Sequence, residues 1–236
     1  MTAAARRRCV TGASSIVAFL AQLIVPAQAL AADVAPAPFA GFPGLELGVH
    51  VGIAHPGGSV GAGSAATTPT VSAVAPTWIP VGLDAGVRLS PRVYLGATAE
   101  WGPTLEQANG SCFACNTASA FQAEGEARFY MSPRSLFDPW ISLGAGWEVM
   151  HVALGSSPGT TASATYDGPV LGTIKVGLDV RWRAIALAPY FGLSLAEYTS
   201  RSLDPAPSGA SSTVGALALH EWFTLGVRAT YGPYPR

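Results

Sequence analysis

The sequence is poor in charged residues, and beyond its N-terminal segment it lacks long apolar runs. Asp, Glu, Lys and Arg make up 11% of the 236 residues, against about 25% in ordinary soluble domains. So few charges would leave the surface of a soluble domain poorly solvated. The net charge of -1 provides no basic stripe, which argues against a nucleic-acid partner.

The missing apolar runs exclude membrane-spanning helices, because such a helix needs roughly 20 consecutive apolar residues. Only helices and closed barrels satisfy every backbone polar group inside a bilayer. A chain this apolar and this rich in glycine (27 residues), without spanning helices, is therefore expected to form a β-barrel.

The N-terminus has the order of a secretory signal peptide. A basic stretch, Arg6 to Arg8, precedes an apolar run from Val10 to Val25, and small residues then offer cleavage sites after Ala29 and Ala31. The apolar run is too short for a spanning helix. We therefore expect residues 1–31 to be a signal peptide that exports the chain, cleaved near Ala29 or Ala31.

The rest of the chain alternates with period two, which is typical of strands with one apolar face. In the first such segment the apolar positions are Leu45, Leu47, Val49, Val51 and Ile53. Seven further segments begin near Trp78, Val93, Ala120, Ile141, Thr173, Leu187 and Trp222. The pattern predicts an all-β fold, an eight-stranded antiparallel up-and-down transmembrane β-barrel over residues 42–231. Residues 32–41 are then a periplasmic tether and residues 232–236 a short tail.

Long and short connections alternate along these segments, as in barrels with external loops and tight periplasmic turns. The long connections are residues 55–77, 103–118, 153–168 and 199–214, and the short ones lie near Ser90-Pro91, Ser132 to Pro139 and Arg183-Ala184. This order predicts four external loops and both termini in the periplasm. Pro189 interrupts the seventh segment and suggests a local bulge there, because proline cannot donate to a strand ladder.

A soluble lipocalin-like barrel would also show alternating strands, with its charged face outward. Here the non-apolar face consists mainly of Gly, Ser and Thr with scattered charges of both signs, which suits a crowded lumen better than a solvated exterior. Aromatic residues near the segment ends predict two interfacial girdles. These are Trp78, Trp101 and Phe121 on the outer side and Phe129, Trp182 and Tyr231 on the inner side.

The chain resembles the small eight-stranded outer-membrane barrel proteins of the OmpA and OmpX type over nearly all of its mature length. Its last strand carries Thr224, Gly226, Ala229 and Tyr231 at the spacing of the C-terminal insertion signal of such proteins. The chain departs from that signal by continuing to Arg236. The resemblance implies insertion by the barrel-assembly machinery into the outer membrane of a Gram-negative envelope, with outer-membrane lipid as the surroundings.

The inward positions carry acids and bases that we expect to neutralise one another, since unpaired charges in a narrow lumen are costly. The predicted lumen ion network consists of Glu124, Glu126, Arg128, Lys175, Asp179 and Arg181. Cys112 and Cys115 are expected to form a disulfide in the second external loop. A redox role of this pair or a zinc site is disfavoured, because no βαβ pattern or paired histidine accompanies the cysteines.

Three functions remain open at this level: an envelope structural or surface-interaction protein, a narrow porin-like pore for ions or small solutes, and a lipid-modifying enzyme. The first is favoured because eight strands leave an interior only wide enough for side chains. His220-Glu221 is the better enzyme candidate, but no serine stands at a nucleophile spacing. We therefore expect no enzyme activity, no cofactor and no metal, and the external loops carry too little chemical information to identify a surface ligand.

Overall fold

The computed structural model of the chain describes residues 44–60, 70–105, 118–155, 161–204 and 211–232. Within these ranges the elements are β1 (Gly44–Gly58), α1 (Val71–Val74), β2 (Thr77–Trp78), β3 (Val81–Arg88), β4 (Val93–Leu105), β5 (Ala118–Tyr130), β6 (Phe137–Gly155), β7 (Thr161–Trp182), β8 (Ile185–Asp204) and β9 (Ser211–Tyr231). No helix in the described residues is long and apolar enough to cross a membrane. The predicted signal peptide, tether and loop disulfide lie outside the described residues.

The strands close into a barrel because β1 pairs with β3 on one side and with β9 on the other. Every strand pairing is antiparallel, and from β3 to β9 each strand pairs with its neighbour in the chain. β2 and β3 belong to a single crossing that is interrupted at Pro80, whose nitrogen cannot donate. The Pro80 carbonyl oxygen still accepts a hydrogen bond from the Gly52 nitrogen at 3.0 Å. The fold is therefore the predicted eight-stranded, up-and-down transmembrane barrel.

The two faces of the wall differ as the alternation predicted. Outward residues are large and apolar, such as Leu83 at 65% and Trp182 at 71% exposure, and nothing charged lies among the described outward positions between the girdles. Trp101, Phe121, Phe129 and Tyr231 are also exposed near the strand ends. The prediction that Trp78 belongs to the outer girdle is wrong. Its even position turns the side chain into the lumen, where it is 1% exposed. There the indole Nε1 donates a hydrogen bond to the Gly102 carbonyl.

A bulge in β7 shifts this alternation by one residue. Gly144 on β6 pairs with Thr173, whereas Gly146 pairs with Val170, so β7 carries one residue more than its neighbour there. The pairs with β8 show the same excess around Leu171. A one-residue insertion reverses the period-two pattern. Odd residues of β7 therefore face the lumen from Thr173 onward, on the inner side of the bulge, whereas even residues face it up to Val170, on the outer side.

The predicted bulge at Pro189 is wrong. The pairs Gly177–Tyr190 and Val180–Leu187 keep one register on both sides of this residue. On its other side Pro189 pairs with Val227 without a shift. Pro189 lacks a backbone N–H to donate, but the register of β8 with both neighbouring strands stays constant at this position.

The last four strands extend well beyond the bilayer. A transmembrane strand needs about 9–11 residues, whereas β6 to β9 contain 19, 22, 20 and 21. Much of the predicted connections 153–168 and 199–214 is therefore strand. The period-two signal is weak here because neither lipid nor a charged lumen imposes a contrast between the two faces.

The outward face of β7 can be tested by placing a charge on it. Ile174→Arg below the bulge, where Ile174 is 48% exposed, should lower the free energy of unfolding by about 2–4 kcal/mol, the cost of an arginine near the bilayer midplane. Thr165→Arg on the extension of the same strand is the matched control and should cost about 0–1 kcal/mol. Equilibrium unfolding in urea from lipid vesicles measures both, and an Ile174→Arg barrel as stable as wild type would refute the assigned face.

Candidate functional site: the barrel lumen

The inner third of the lumen is an ion cluster centred on Arg128, which we call the basal cluster. Arg128 Nη2 lies 2.6 Å from Glu126 Oε1, and Arg128 Nη1 lies 3.2 Å from Glu46 Oε1. Glu46 Oε2 in turn accepts from Arg88 Nη2 at 2.7 Å. All are almost completely buried. The remaining members are Arg228, Asp179, Arg181 and Asp138, so four arginines face four carboxylates.

Aromatic rings separate the guanidinium groups of the basal cluster. Arg88 lies over the ring of Tyr130 at 3.8 Å, and Arg128 lies 4.7 Å from the ring of Tyr94 and 5.0 Å from that of Trp140. Such stacking stabilises a desolvated cation while its planar fork holds the carboxylates. The cluster fills the inner end of the lumen with side chains.

A second group, the central cluster, crosses the middle of the lumen. His50 Nδ1 lies 3.2 Å from Asp84 Oδ2, and His50 Nε2 lies 3.2 Å from Glu100 Oε2. Lys175 Nζ lies 3.8 Å from Glu100 Oε1 and 3.6 Å from Glu124 Oε2. One histidine and one lysine thus join three carboxylates on β3, β4 and β5.

The outer third of the lumen is mainly apolar, and we call it the outer plug. Its members are Ala54, Val60, Val71, Ala75, Trp78, Ala118, Ala120, Met150, Val152, Ala164, Tyr166, Tyr198, Ala218 and Trp222. Val71 and Ala75 come from α1 and its C-terminal end, which an isolated bridge between Ser59 and Thr70 ties to the end of β1. The first external connection therefore packs its own side chains into the barrel mouth.

One carboxylate is buried inside the outer plug. Glu148 Oε1 accepts from Tyr198 Oη at 2.5 Å and lies 3.2 Å from His220 Nε2, while Glu148 Oε2 accepts from Trp222 Nε1 at 3.1 Å. The His220 ring stacks on Tyr198 with centroids 4.1 Å apart. A buried carboxylate needs such partners, and here they come from β8 and β9.

The six residues predicted as one ion network all face the lumen and are divided between the basal and central clusters, which Asp84 joins because its Oδ1 lies 3.9 Å from Arg128 Nη2. Glu124 and Lys175 belong to the central cluster, whereas Glu126, Arg128, Asp179 and Arg181 belong to the basal cluster. Asp179 lies 3.7 Å from Arg228 and not beside Lys175. Arg181 contacts Asp138, which is not one of the six. Glu46 and Glu100, which complete the contacts of these six, lie on inward positions of predicted strands, so parity along the strand was the available signal. Asp138 lies in the predicted connection Ser132 to Pro139, where no strand pattern was available, and the structure places it in β6.

The geometry around His220 offers no catalytic pair with Glu221. His220 is fully buried in the lumen, and Glu221 points to the other face of β9, because neighbouring strand residues alternate. The polar contacts of His220 are Glu148 and the Ala218 carbonyl. Among the described residues no group of His, Cys, Asp and Glu is arranged to hold a metal ion.

The predicted insertion signal occupies the inner half of β9. Tyr231 is 64% exposed at the inner girdle, whereas Thr224 is buried on the lumen side. Gly226 faces inward, where a Cβ atom would come within 2.6 Å of the Tyr190 ring. In the folded barrel Gly226 therefore has a packing role, independent of any role in insertion.

No protein-family model matches the chain, and no curated protein matches it either. Solved structures do match. Neisserial surface protein A has 9% sequence identity and a TM-score of 0.51, with 79% of this chain and 96% of that chain covered. AlkL, solved in lipid bilayers, has 12% identity and a TM-score of 0.50, with 86% and 96% covered. At these identities the comparisons show the fold alone, and that fold is the small outer-membrane β-barrel.

Proposed function

We propose that this protein is an integral outer-membrane barrel with a closed, side-chain-filled lumen, which acts as an envelope structural or surface-interaction protein. The observation that carries the proposal is the filling of the lumen at three successive levels. The basal cluster, the central cluster and the outer plug block it in turn. A solute pore would need a continuous polar passage, whereas the outer plug is mainly apolar and its carboxylate, Glu148, is bonded to Tyr198, His220 and Trp222.

The outer membrane is the proposed location because the barrel carries an apolar band between two aromatic girdles. With an even number of crossings and short turns at one end, the long connections belong on the cell surface. We also propose that the barrel-assembly machinery inserts the chain through β9.

The extension of β6 to β9 supports a surface role. These strands continue beyond the outer face of the bilayer, although about 9–11 residues are enough to cross it. Its exposed and half-buried charged groups are Asp167, Glu197, Arg201, Asp204 and Glu221, an acidic set with one arginine. Such a surface suits contacts with basic or polar partners at the cell exterior.

Planar-bilayer recording tests the closed lumen. The wild-type barrel should show no steady conductance, because charged and apolar side chains fill every level. Lys175→Ala should increase cation leakage and lower the free energy of unfolding by about 1–3 kcal/mol, since Glu100 and Glu124 lose the Lys175 ammonium group. Lys175→Arg, which keeps the charge, is the matched control.

A large and steady conductance of the wild-type protein would overturn the closed-lumen proposal in favour of a pore. Equal stability of wild type and Lys175→Ala would show that Lys175 does not hold the central cluster together. The two measurements are independent, so the first judges the function and the second judges the cluster.

A further inference from the structure

His50 in the central cluster presents both of its ring nitrogens to carboxylates. Nδ1 lies 3.2 Å from Asp84 Oδ2, and Nε2 lies 3.2 Å from Glu100 Oε2. A neutral imidazole has one N–H, so its other nitrogen would turn a lone pair towards an ionised oxygen, whereas an imidazolium donates from both nitrogens. The geometry therefore fits three groups that share one proton more than a neutral histidine and two carboxylates would carry.

The surrounding strands hold the His50 ring in this orientation. His50 is 5% exposed, and its cross-strand neighbour on β3 is Gly82, where a Cβ atom would collide with Nε2. The Tyr190 ring on β8 stands nearly perpendicular to the imidazole, with centroids 6.1 Å apart. Arg228, the cross-strand neighbour on β9, directs its guanidinium to carboxylates of the basal cluster. The ring is therefore fixed with its nitrogens directed at the two carboxylates.

The other cations near these two carboxylates are farther away. Arg128 Nη2 lies 3.9 Å from Asp84 Oδ1, and Lys175 Nζ lies 3.8 Å from Glu100 Oε1. Both distances exceed that of a hydrogen bond. The two cations still favour ionised carboxylates, so the shared proton belongs on the ring. Among the described residues, His50 is thus the cation that Asp84 and Glu100 contact directly.

The balance of charges in the lumen supports a protonated His50. The carboxylates of the basal and central clusters are Glu46, Asp84, Glu100, Glu124, Glu126, Asp138 and Asp179, and the permanent cations are Arg88, Arg128, Lys175, Arg181 and Arg228. Seven carboxylates thus face five cations. Buried charge is costly unless it is compensated. A neutral His50 leaves an excess of two negative charges, and an imidazolium reduces this excess to one.

We propose that His50 is a proton-binding site that makes the stability of the barrel depend on pH. At neutral pH the proton held between Asp84 and Glu100 joins β1 to the side chains of β3 and β4. Its loss at alkaline pH leaves a carboxylate facing a lone pair of the ring, so the central cluster loosens. The inference rests on the closed lumen proposed above, because water in an open lumen would solvate these groups and weaken their coupling.

Urea unfolding from lipid vesicles at several pH values tests the site on the mature protein. Histidine in an unfolded chain loses its proton at about pH 6.5, so above this value the folded barrel holds one proton more than the unfolded chain. The unfolding equilibrium constant should therefore rise with pH, by up to about tenfold per pH unit, until His50 itself is deprotonated.

His50→Gln keeps an amide donor but binds no proton, so it should remove most of this pH dependence. His151→Gln is the matched control, because it makes the same change at an exposed histidine and should leave the pH dependence unchanged. An unfolding equilibrium constant that does not change with pH would overturn the site. So would an undiminished pH dependence in His50→Gln, or its loss in His151→Gln.

Nitrogen-15 NMR of the wild-type barrel in lipid bilayers, labelled at histidine, measures the protonation directly and requires no variant to fold. At about pH 7.5, where histidine in an unfolded chain is mostly neutral, both ring nitrogens of His50 should carry a proton. The contact of the ring with Gly82 identifies its signals. A single N–H on this ring would overturn the site.

Planar-bilayer conductance distinguishes failure of this site from failure of the proposed function. A steady conductance of the wild type at neutral pH would reject the closed lumen and, with it, the premise of the site. A closed lumen together with a neutral His50 would reject the proton-binding site alone.

Discussion

Replacing Arg128 by alanine should lower the free energy of unfolding by about 3–5 kcal/mol, the usual cost of removing one partner of a buried ion pair. Arg128 is the cation nearest to Glu126, and it also contacts Glu46 and lies 3.9 Å from Asp84. Its removal leaves carboxylates desolvated without a counter-charge and opens a gap between the rings of Tyr94 and Trp140. Urea unfolding from lipid vesicles measures the loss.

Arg128→Lys is the matched control for this prediction. Lysine keeps the charge but loses the planar fork and the ring stacking, so we expect an intermediate loss of about 1–2 kcal/mol. If alanine and lysine reduce stability equally, the charge of Arg128 is not what stabilises the basal cluster. If alanine has no effect, the cluster does not contribute to the stability of the barrel.

Replacing Glu148 by alanine should cost a similar amount, about 3–5 kcal/mol, for the opposite reason. Here three donors, on Tyr198, His220 and Trp222, lose their common acceptor inside an apolar core. Each buried donor left without a partner costs about 1–3 kcal/mol, and the missing side chain adds a cavity. Unfolding in urea, together with the near-UV circular dichroism of the aromatic residues, detects both effects.

Glu148→Gln separates hydrogen bonding from charge at this position. The amide oxygen still accepts from one or two donors, so the loss should be about half of that for alanine. A glutamine variant as unstable as the alanine variant would show that the negative charge beside His220 matters most. An alanine variant with wild-type stability would contradict the role of Glu148 in the outer plug.

The strand faces were predictable because lipid imposes a strict contrast between outward and inward positions. The apolar series from Leu45 to Ile53 and the inward acids Glu124 and Glu126 follow from this alternation alone. Residue type alone gave a wrong prediction for Trp78. As an aromatic residue near a strand end it was assigned to the girdle, although its even position in the strand points into the lumen. The bulge at Leu171 left no local signal, because it is defined by the registers of two neighbouring strands.

Inward glycines show a second limit. Gly82, Gly96 and Gly177 fit the pattern of a small-residue face, yet each lies beneath a large side chain. A Cβ atom at these positions would come within 2.4 Å of His50, Tyr94 and Trp140, respectively. The glycines therefore provide space for the bulky groups that fill the lumen, and only the cross-strand arrangement reveals which group each one serves.

The sequence by itself determined the number of crossings, the class of fold and which face of each strand is apolar. These properties depend on residues two apart in one strand and on the medium that surrounds it. The tertiary structure alone decided which charges pair and what closes the lumen. Glu46 contacts Arg128 across 82 positions of sequence, and His220 contacts Glu148 across 72. Such partners are set by barrel closure and by the stagger between strands, which no local pattern encodes.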